Sequence, residues 1–227
     1  MALLEVRNLV KRYRSPDGEE QEVVRVAEFN LNAGEELAIR GESGSGKTTF
    51  LQLISGILRA DSGSIVLSGE DLTQLSEQER DARRARQIGF IFQSFNLLQA
   101  FKTSMNVELP IMLAGGSDRA RATALLQRVG LTHRADHFPR QLSSGQQQRV
   151  AIARALANKP ALVLADEPTG SLDARNATET LKLIREVCRE NGAALLLVSH
   201  DAATLSEFER VIDFAAINRP QQESATR

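Results

Sequence analysis

One cysteine stands in 227 residues, at position 188, so no disulfide can form within the chain. That fits a reducing compartment. An excess of charge of either sign is lacking too: 28 Lys and Arg face 29 Asp and Glu, a formal net charge of −1. A surface built for nucleic acid needs a positive excess, so nucleic acid is not an expected partner. Long apolar runs are also missing. No stretch approaches the roughly 20 residues of a membrane span. The start, MALLEVRNLVKRY, carries acidic and basic residues within its first seven positions and does not resemble an apolar signal. Any service to a membrane is therefore expected to pass through a partner. There is no internal repeat and no low-complexity linker. A chain of this length can bury a substantial interior, as one large domain or as a core with small subdomains.

What is present alternates. LLEVRNLVKRY reads as a strand, and VVRVAEFNLN does so less cleanly, with the polar turn RSPDGEEQE between them. ELAIR is a short apolar strand. GESGSGKTTFLQLISGIL follows at once, Gly-rich first and then helical in its spacing at Phe50, Leu51, Ile54 and Leu58. SGSIVLSGED reads as a strand, SEQERDARRARQ as an exposed helix or turn, and IGFIFQ as a buried strand. From Asn106 to about Ala155 the pattern is mostly helical, broken near His137-Phe138-Pro139. ALVLAD and AALLLVSH are buried strands around the amphipathic TETLKLIREVCRE, and VIDFAAI is expected to be a last short strand. Strands apolar on both faces, alternating with helices, point to a parallel sheet covered by helices.

Residues 41–48, GESGSGKT, fit the pattern G-x-x-x-x-G-K-[ST], with a strand before and a helix after. In such a loop Gly41, Glu42, Ser43, Gly44, Ser45 and Gly46 turn backbone N–H groups inward around phosphate oxygens, beside the positive end of a helix. Lys47 would reach the β- and γ-phosphates, the Thr48 hydroxyl would ligate Mg²⁺, and Thr49 is placed for a further phosphate contact. An incidental glycine-rich turn is the plain alternative. On glycine's usual frequency it arises about once per hundred chains. Further on, ALVLADE ends an apolar strand in two carboxylates. Ligands of open α/β sheets sit at the carboxyl ends of strands. Asp166 can therefore face Mg²⁺, directly or through water, and Glu167 can orient or deprotonate an attacking water. Alone, such a pair is weak, because acidic residues commonly end strands.

Residues 142–149, LSSGQQQR, lie between these two motifs and resemble the signature of ABC-type ATPases, whose usual form is LSGGQ followed by Q-R. The resemblance covers roughly residues 3 to 214. It implies an α/β fold: a P-loop NTPase (RecA-like) core with a mainly parallel sheet, an antiparallel β subdomain and a helical subdomain, here near residues 94–158. All 227 residues would form one ATPase domain, with a frayed tail over 218–227. It also implies ATP and Mg²⁺ as ligands, and a site assembled by two copies packed head to tail. Ser143, Ser144, Gly145 and Gln146 would contact ATP held by the phosphate loop of the second copy. Tyr13 matches the aromatic that stacks on adenine. Gln93 matches a glutamine that reaches Mg²⁺ and the attacking water. Asp173, in PTGSLD, matches a residue that crosses the dimer interface, and His200 the histidine that contacts the γ-phosphate. The ordinary readings are a helix N-cap for Ser143 and for Asp173, and a structural strand end for Gln93 and His200.

Two departures stand out. Ser144 replaces the usual signature glycine, and would cost about 1 kcal/mol or more if the position needs positive φ. Gln99 replaces the proline of the usual FNLLP. ADEPTGSLD and FIFQSFNLL most resemble the branch that serves lipoprotein release, macrolide-type export and bacterial cell division. The implied role is an ATP-hydrolysing subunit at the cytoplasmic face of the inner or plasma membrane, peripheral to integral permease subunits. Phe95, Leu97, Leu98 and Phe101 give an apolar strip where a permease helix could dock, although at least half of them are expected to fill the subdomain core. A regulatory ATPase that signals through a membrane partner without moving a substrate would carry the same residues. An ABC ATPase acting on DNA or ribosomes would usually bring tandem domains or long coiled-coil insertions, and neither is present.

Overall fold

The computed structural model describes residues 2–14 and 18–220. Two sheets organise it. In the first, β1 (Ala2–Arg14), β2 (Glu20–Asn32), β4 (Ser62–Leu67) and β5 (Glu70–Asp71) pair antiparallel in the order β2-β1-β4-β5. In the second, β3 (Glu36–Arg40), β6 (Ile88–Ile91), β7 (Leu162–Asp166), β8 (Ala194–Ser199) and β9 (Val211–Asp213) pair parallel in the order β6-β7-β8-β3-β9. Every residue of β7 and of β8 is buried, which explains their unbroken apolar sequence. Parallel strands covered on both faces have no polar side to show.

The helices are α1 (Lys47–Ile54), α2 (Glu77–Gln87), α3 (Thr103–Leu113), α4 (Arg119–Arg128), α5 (Ser144–Ala155), α6 (Ala174–Glu190), α7 (Ala202–Ser206) and α8 (Phe214–Ile217). α2 is the helical one of the two forms, helix or turn, expected for this charged stretch. It buries no residue and starts with a capping box between Ser76 and Glu79. One core lies between the two sheets around α1, with Phe50 at its centre against Phe29 and Phe214. The other joins the far face of the parallel sheet to α3, α4, α5 and α6. The helical run begins at Thr103, three residues before the expected Asn106.

One element departs from expectation. VIDFAAI is a strand only over Val211–Asp213 and then turns into α8. The Asp213 carboxylate accepts the Ala215 N–H, and Phe214 is buried against Phe50. A cap and an anchor at consecutive positions favour a helical turn over continued extension. The first residues of the stretch expected to fray are held in place. Asn218 is buried and bridges to Val26, and the Arg219 N–H donates to the Arg25 carbonyl. Residues 221–227 lie outside the described part.

The order β7-β8-β3 makes three neighbours of strands far apart in sequence. Arg40 pairs with Ser199 and Asp166 with Val198, so the three carboxyl ends finish level. The phosphate loop, the acidic pair and His200 follow those ends directly.

Candidate nucleotide site

The loop after β3 is shaped by glycine where no other residue fits. Gly46 has φ +97, and a Cβ there would lie 2.8 Å from the Val23 carbonyl oxygen. Gly46 precedes α1 without any side-chain cap, so the first N–H groups of that helix are not satisfied by a capping side chain. Lys47 is buried, at 7% exposure. Its ammonium folds back over the loop, donating to the carbonyls of Gly41 (2.7 Å) and Glu42 (2.5 Å). The Ser45 hydroxyl is buried and has no hydrogen-bond partner among the described residues. Free helix-end donors, a buried cation and an orphaned hydroxyl around one loop are what a polyphosphate would satisfy.

Asp166 ends β7 in a buried position beside the Thr48 side chain. Burial pushes its pKa up, and the neighbouring Glu167 adds to this, while Thr48 and Lys47 pull it back. A buried carboxylate of this kind gains most from a cation beside it. Among the described residues no three His, Cys, Asp or Glu side chains are grouped to hold a metal. Thr48 and Asp166 thus fit a magnesium ion that takes its other ligands from phosphate and water.

Glu167 adopts φ +45, a strained conformation for a non-glycine residue. Its N–H donates to the Val198 carbonyl, and its own carbonyl accepts from Gly170. Both carboxylate oxygens are engaged: the Ser199 hydroxyl donates to Oε2 at 3.1 Å, and His200 Nδ1 lies 2.7 Å from Oε1. Gln93, two residues beyond β6, reaches the same place. A Cβ on Gly170 would be 3.5 Å from its Nε2. Gln93, Glu167 and His200 open onto a cleft of about 730 Å³ that runs on between α6 and α7. Gln93 therefore stands on the Glu167 side of the acidic pair.

Tyr13 is half-exposed and pairs with Gln21, two residues before the Val23 carbonyl that confines Gly46. The other sequence-derived candidates gather elsewhere. Ser143 caps α5, accepting from the Gln146 N–H, while the Gln146 side chain accepts from the Ser143 N–H. Ser144 is the first residue of that helix and has no left-handed φ, so serine brings no backbone strain there. Asp173 caps α6, accepting from the backbone N–H and side-chain amide of Asn176. Those two bonds hold its carboxyl below the usual range. Asn176 Oδ1 would be 3.7 Å from a Cβ on Gly145, so the signature stretch and the Asp173 loop are neighbours. Among the described residues no hydrogen bond joins either of them to the phosphate loop.

Three supports had no sequence signal. Ser199 holds Glu167. Asn218 donates to the carbonyls of Ser45 and Val23 and accepts from the Arg25 N–H, tying the phosphate loop to β2. Arg154 of α5 donates to the carbonyls of Phe95 and Asn96.

A glycine-wrapped lysine, a strand-end acidic pair and a strand-end histidine on one sheet edge define a P-loop ATPase. Residues 24–170 match the family described as ABC transporter. The lipoprotein-releasing system ATP-binding protein LolD of Shewanella sp. (strain MR-4) is 44% identical over 212 residues, covering 92% of this chain and 91% of its own. LolD of Pseudomonas syringae pv. tomato is 44% identical over 215 residues, with 93% and 94% covered. The dimeric structure of MJ0796, a bacterial ABC transporter cassette, superposes with a TM-score of 0.85 at 33% identity, covering 98% of this chain and 99% of that one. A dimeric post-hydrolysis state of the same cassette, bound to ADP and Pi, gives 0.83 at 34%. The chain belongs to the ABC transporter family. It is an ATPase with the family's fold.

Proposed function

We propose that this chain drives a membrane permease of the lipoprotein-release type, as a head-to-tail homodimer closed around two ATP. It works from the cytoplasmic face as a peripheral subunit. No helix among the described residues is long and apolar enough to cross a membrane. The relatives support the transport class: two at 44% identity are named as ATP-binding proteins of lipoprotein release. The similar cassette is dimeric in both of its states.

One observation carries the reading. Among the described residues, the phosphate loop and the signature stretch are each formed but share no hydrogen bond. A second copy, turned head to tail, brings Ser143, Ser144 and Gly145 to the triphosphate on Lys47 and the α1 N-terminus. Tyr13 stacks on the base, and Asp173 crosses the interface. Thr48 and Asp166 would hold Mg²⁺, with Gln93 reaching it from the Glu167 side, and the ion would supply positive charge against the phosphates. Lys47 leaves the carbonyls of Gly41 and Glu42 for phosphate. Glu167, oriented by Ser199, takes the proton of the attacking water, and His200 stabilises the departing charge. The half-exposed Leu98 and Phe101 form the apolar patch for the permease helix. Leu97 is buried and Phe95 packs against the core, so half of the expected strip is interior.

Glu167→Gln should bind Mg-ATP without turnover and run as a dimer in light scattering. A variant that stays monomeric at saturating Mg-ATP overturns the shared site. Lys47→Ala should lose ATP binding or turnover. The transport class is tested by purifying the tagged chain from membranes with its permease and adding acylated lipoprotein. Stimulated hydrolysis and release are expected. A division-type partner, with no release, would replace transport by signalling.

A further inference from the structure

Arg154 lies in the last turn of α5, the helix that begins at the signature stretch. Its guanidinium is mostly buried, and burial alone lowers its pKa to about 10. No carboxylate lies within ion-pair distance of it among the described residues. Its partners are two backbone carbonyls, Asn96 O at 2.5 Å from Nη1 and Phe95 O at 2.7 Å from Nη2. Those carbonyls belong to consecutive residues in the left-handed region, with φ +59 at Phe95 and +48 at Asn96. Two adjacent non-glycine residues rarely hold that conformation without an external constraint. Gln93 is two residues upstream.

The base of α5 is fixed a second way. A Cβ on Gly89 in β6 would fall 2.2 Å from the Ala155 carbonyl oxygen, so helix and strand are in backbone contact there. β6 leads directly to Gln93. Ser144 and Arg154 are ten residues apart on one helix, a lever of about 15 Å.

We propose that Arg154 is a positioning residue that couples the two ATP sites, clamping the Gln93 segment to the helix that presents Ser143–Gly145 to the partner's nucleotide. A shift of Gln93 at one site then re-aims α5 at the other, because the guanidinium fork holds both carbonyls and has no competing anion. This rests on the shared-site dimer proposed above. A buried charge serving only stability is a costly choice, since an apolar side chain of equal length fits a core as well.

The test uses Arg154→Lys, which keeps the charge but not the fork, and Arg154→Met, which keeps neither. Each is placed in the full-length Glu167→Gln background. Affinity of the dilute monomer for a fluorescent ATP analogue should change less than about twofold, since the phosphate loop is untouched. The ATP concentration at half-dimerisation, by light scattering, should rise about tenfold for Arg154→Lys, the loss expected of one charge-assisted bond. It should rise further for Arg154→Met. In the hydrolysing protein, the Hill coefficient for ATP should fall towards one in the same order. Wild-type dimerisation and cooperativity in either folded variant would overturn the proposal. Loss of cooperative thermal unfolding in both would also overturn it, making Arg154 a structural prop. Failure of Glu167→Gln alone to dimerise would instead count against the shared site.

Discussion

Single residues at this site are constrained by atoms distant in sequence. Gly46 shows it most sharply: its φ of +97 and the Val23 oxygen at 2.8 Å leave no room for a methyl group. Gly46→Ala should therefore lose about 1–3 kcal/mol of stability from strain alone, with ATP binding lost in the same protein. Thermal melting and a fluorescent nucleotide measure the two effects. Cys188 is the opposite case, a side chain with no part in the chemistry. It is buried, and burial pushes its thiol up to about 12. A thiol reagent at pH 8 should find nothing in the native protein and one group after urea. The residues of the phosphate loop, the acidic pair and the signature were legible because their spacing is local. Asn218 was not, since it reaches Ser45 across 173 positions. Arg154 reaches Asn96 across 58, and Ser199 reaches Glu167 across 32. No periodicity records such pairs.

Among the elements, the apolar runs ALVLAD and AALLLVSH gave away β7 and β8 because both faces are covered. The turn from β9 into α8 was hidden, because Phe214 fits an apolar strand and a helical anchor equally well. Ion pairs between elements were hidden too. Arg128 of α4 grips Glu190 of α6 at 2.7 and 3.0 Å and Glu186 at 2.9 Å, tying α4 to α6. The Arg128 guanidinium holds the Glu190 carboxyl below its usual range. A depressed carboxyl adds stability above the pKa of the unfolded chain, near 4.3, and loses it as pH falls through the folded value. Glu190→Gln should thus lower the urea midpoint at pH 7 and make progressively less difference below about pH 4. The effect should be small and salt-sensitive, because the pair is largely exposed. A midpoint difference that grew on acidification would reverse the assigned direction.

At the scale of the whole molecule, the features that make least sense in one copy are those that need two. Gly145 has no left-handed φ, and a Cβ there would meet only Asn176, at an ordinary 3.7 Å. Nothing among the described residues demands glycine at that position. Alanine in the first turn of α5 should leave the monomer as stable as before, or more stable by up to about 1 kcal/mol. In the proposed shared site, the demand for space comes from the face that Ser143 and Ser144 expose, where the partner's triphosphate would approach the helix N-terminus. Gly145→Ala in the Glu167→Gln background should therefore melt no lower than its parent and bind nucleotide as a monomer with the same affinity. It should nonetheless need at least about tenfold more ATP to dimerise, since a methyl group on that backbone displaces about one close N–H contact. Calorimetry on the monomer and light scattering against ATP separate the two effects. A variant that dimerised like its parent would mean that the signature face closes with room to spare, and that glycine at 145 answers to no neighbour in either copy.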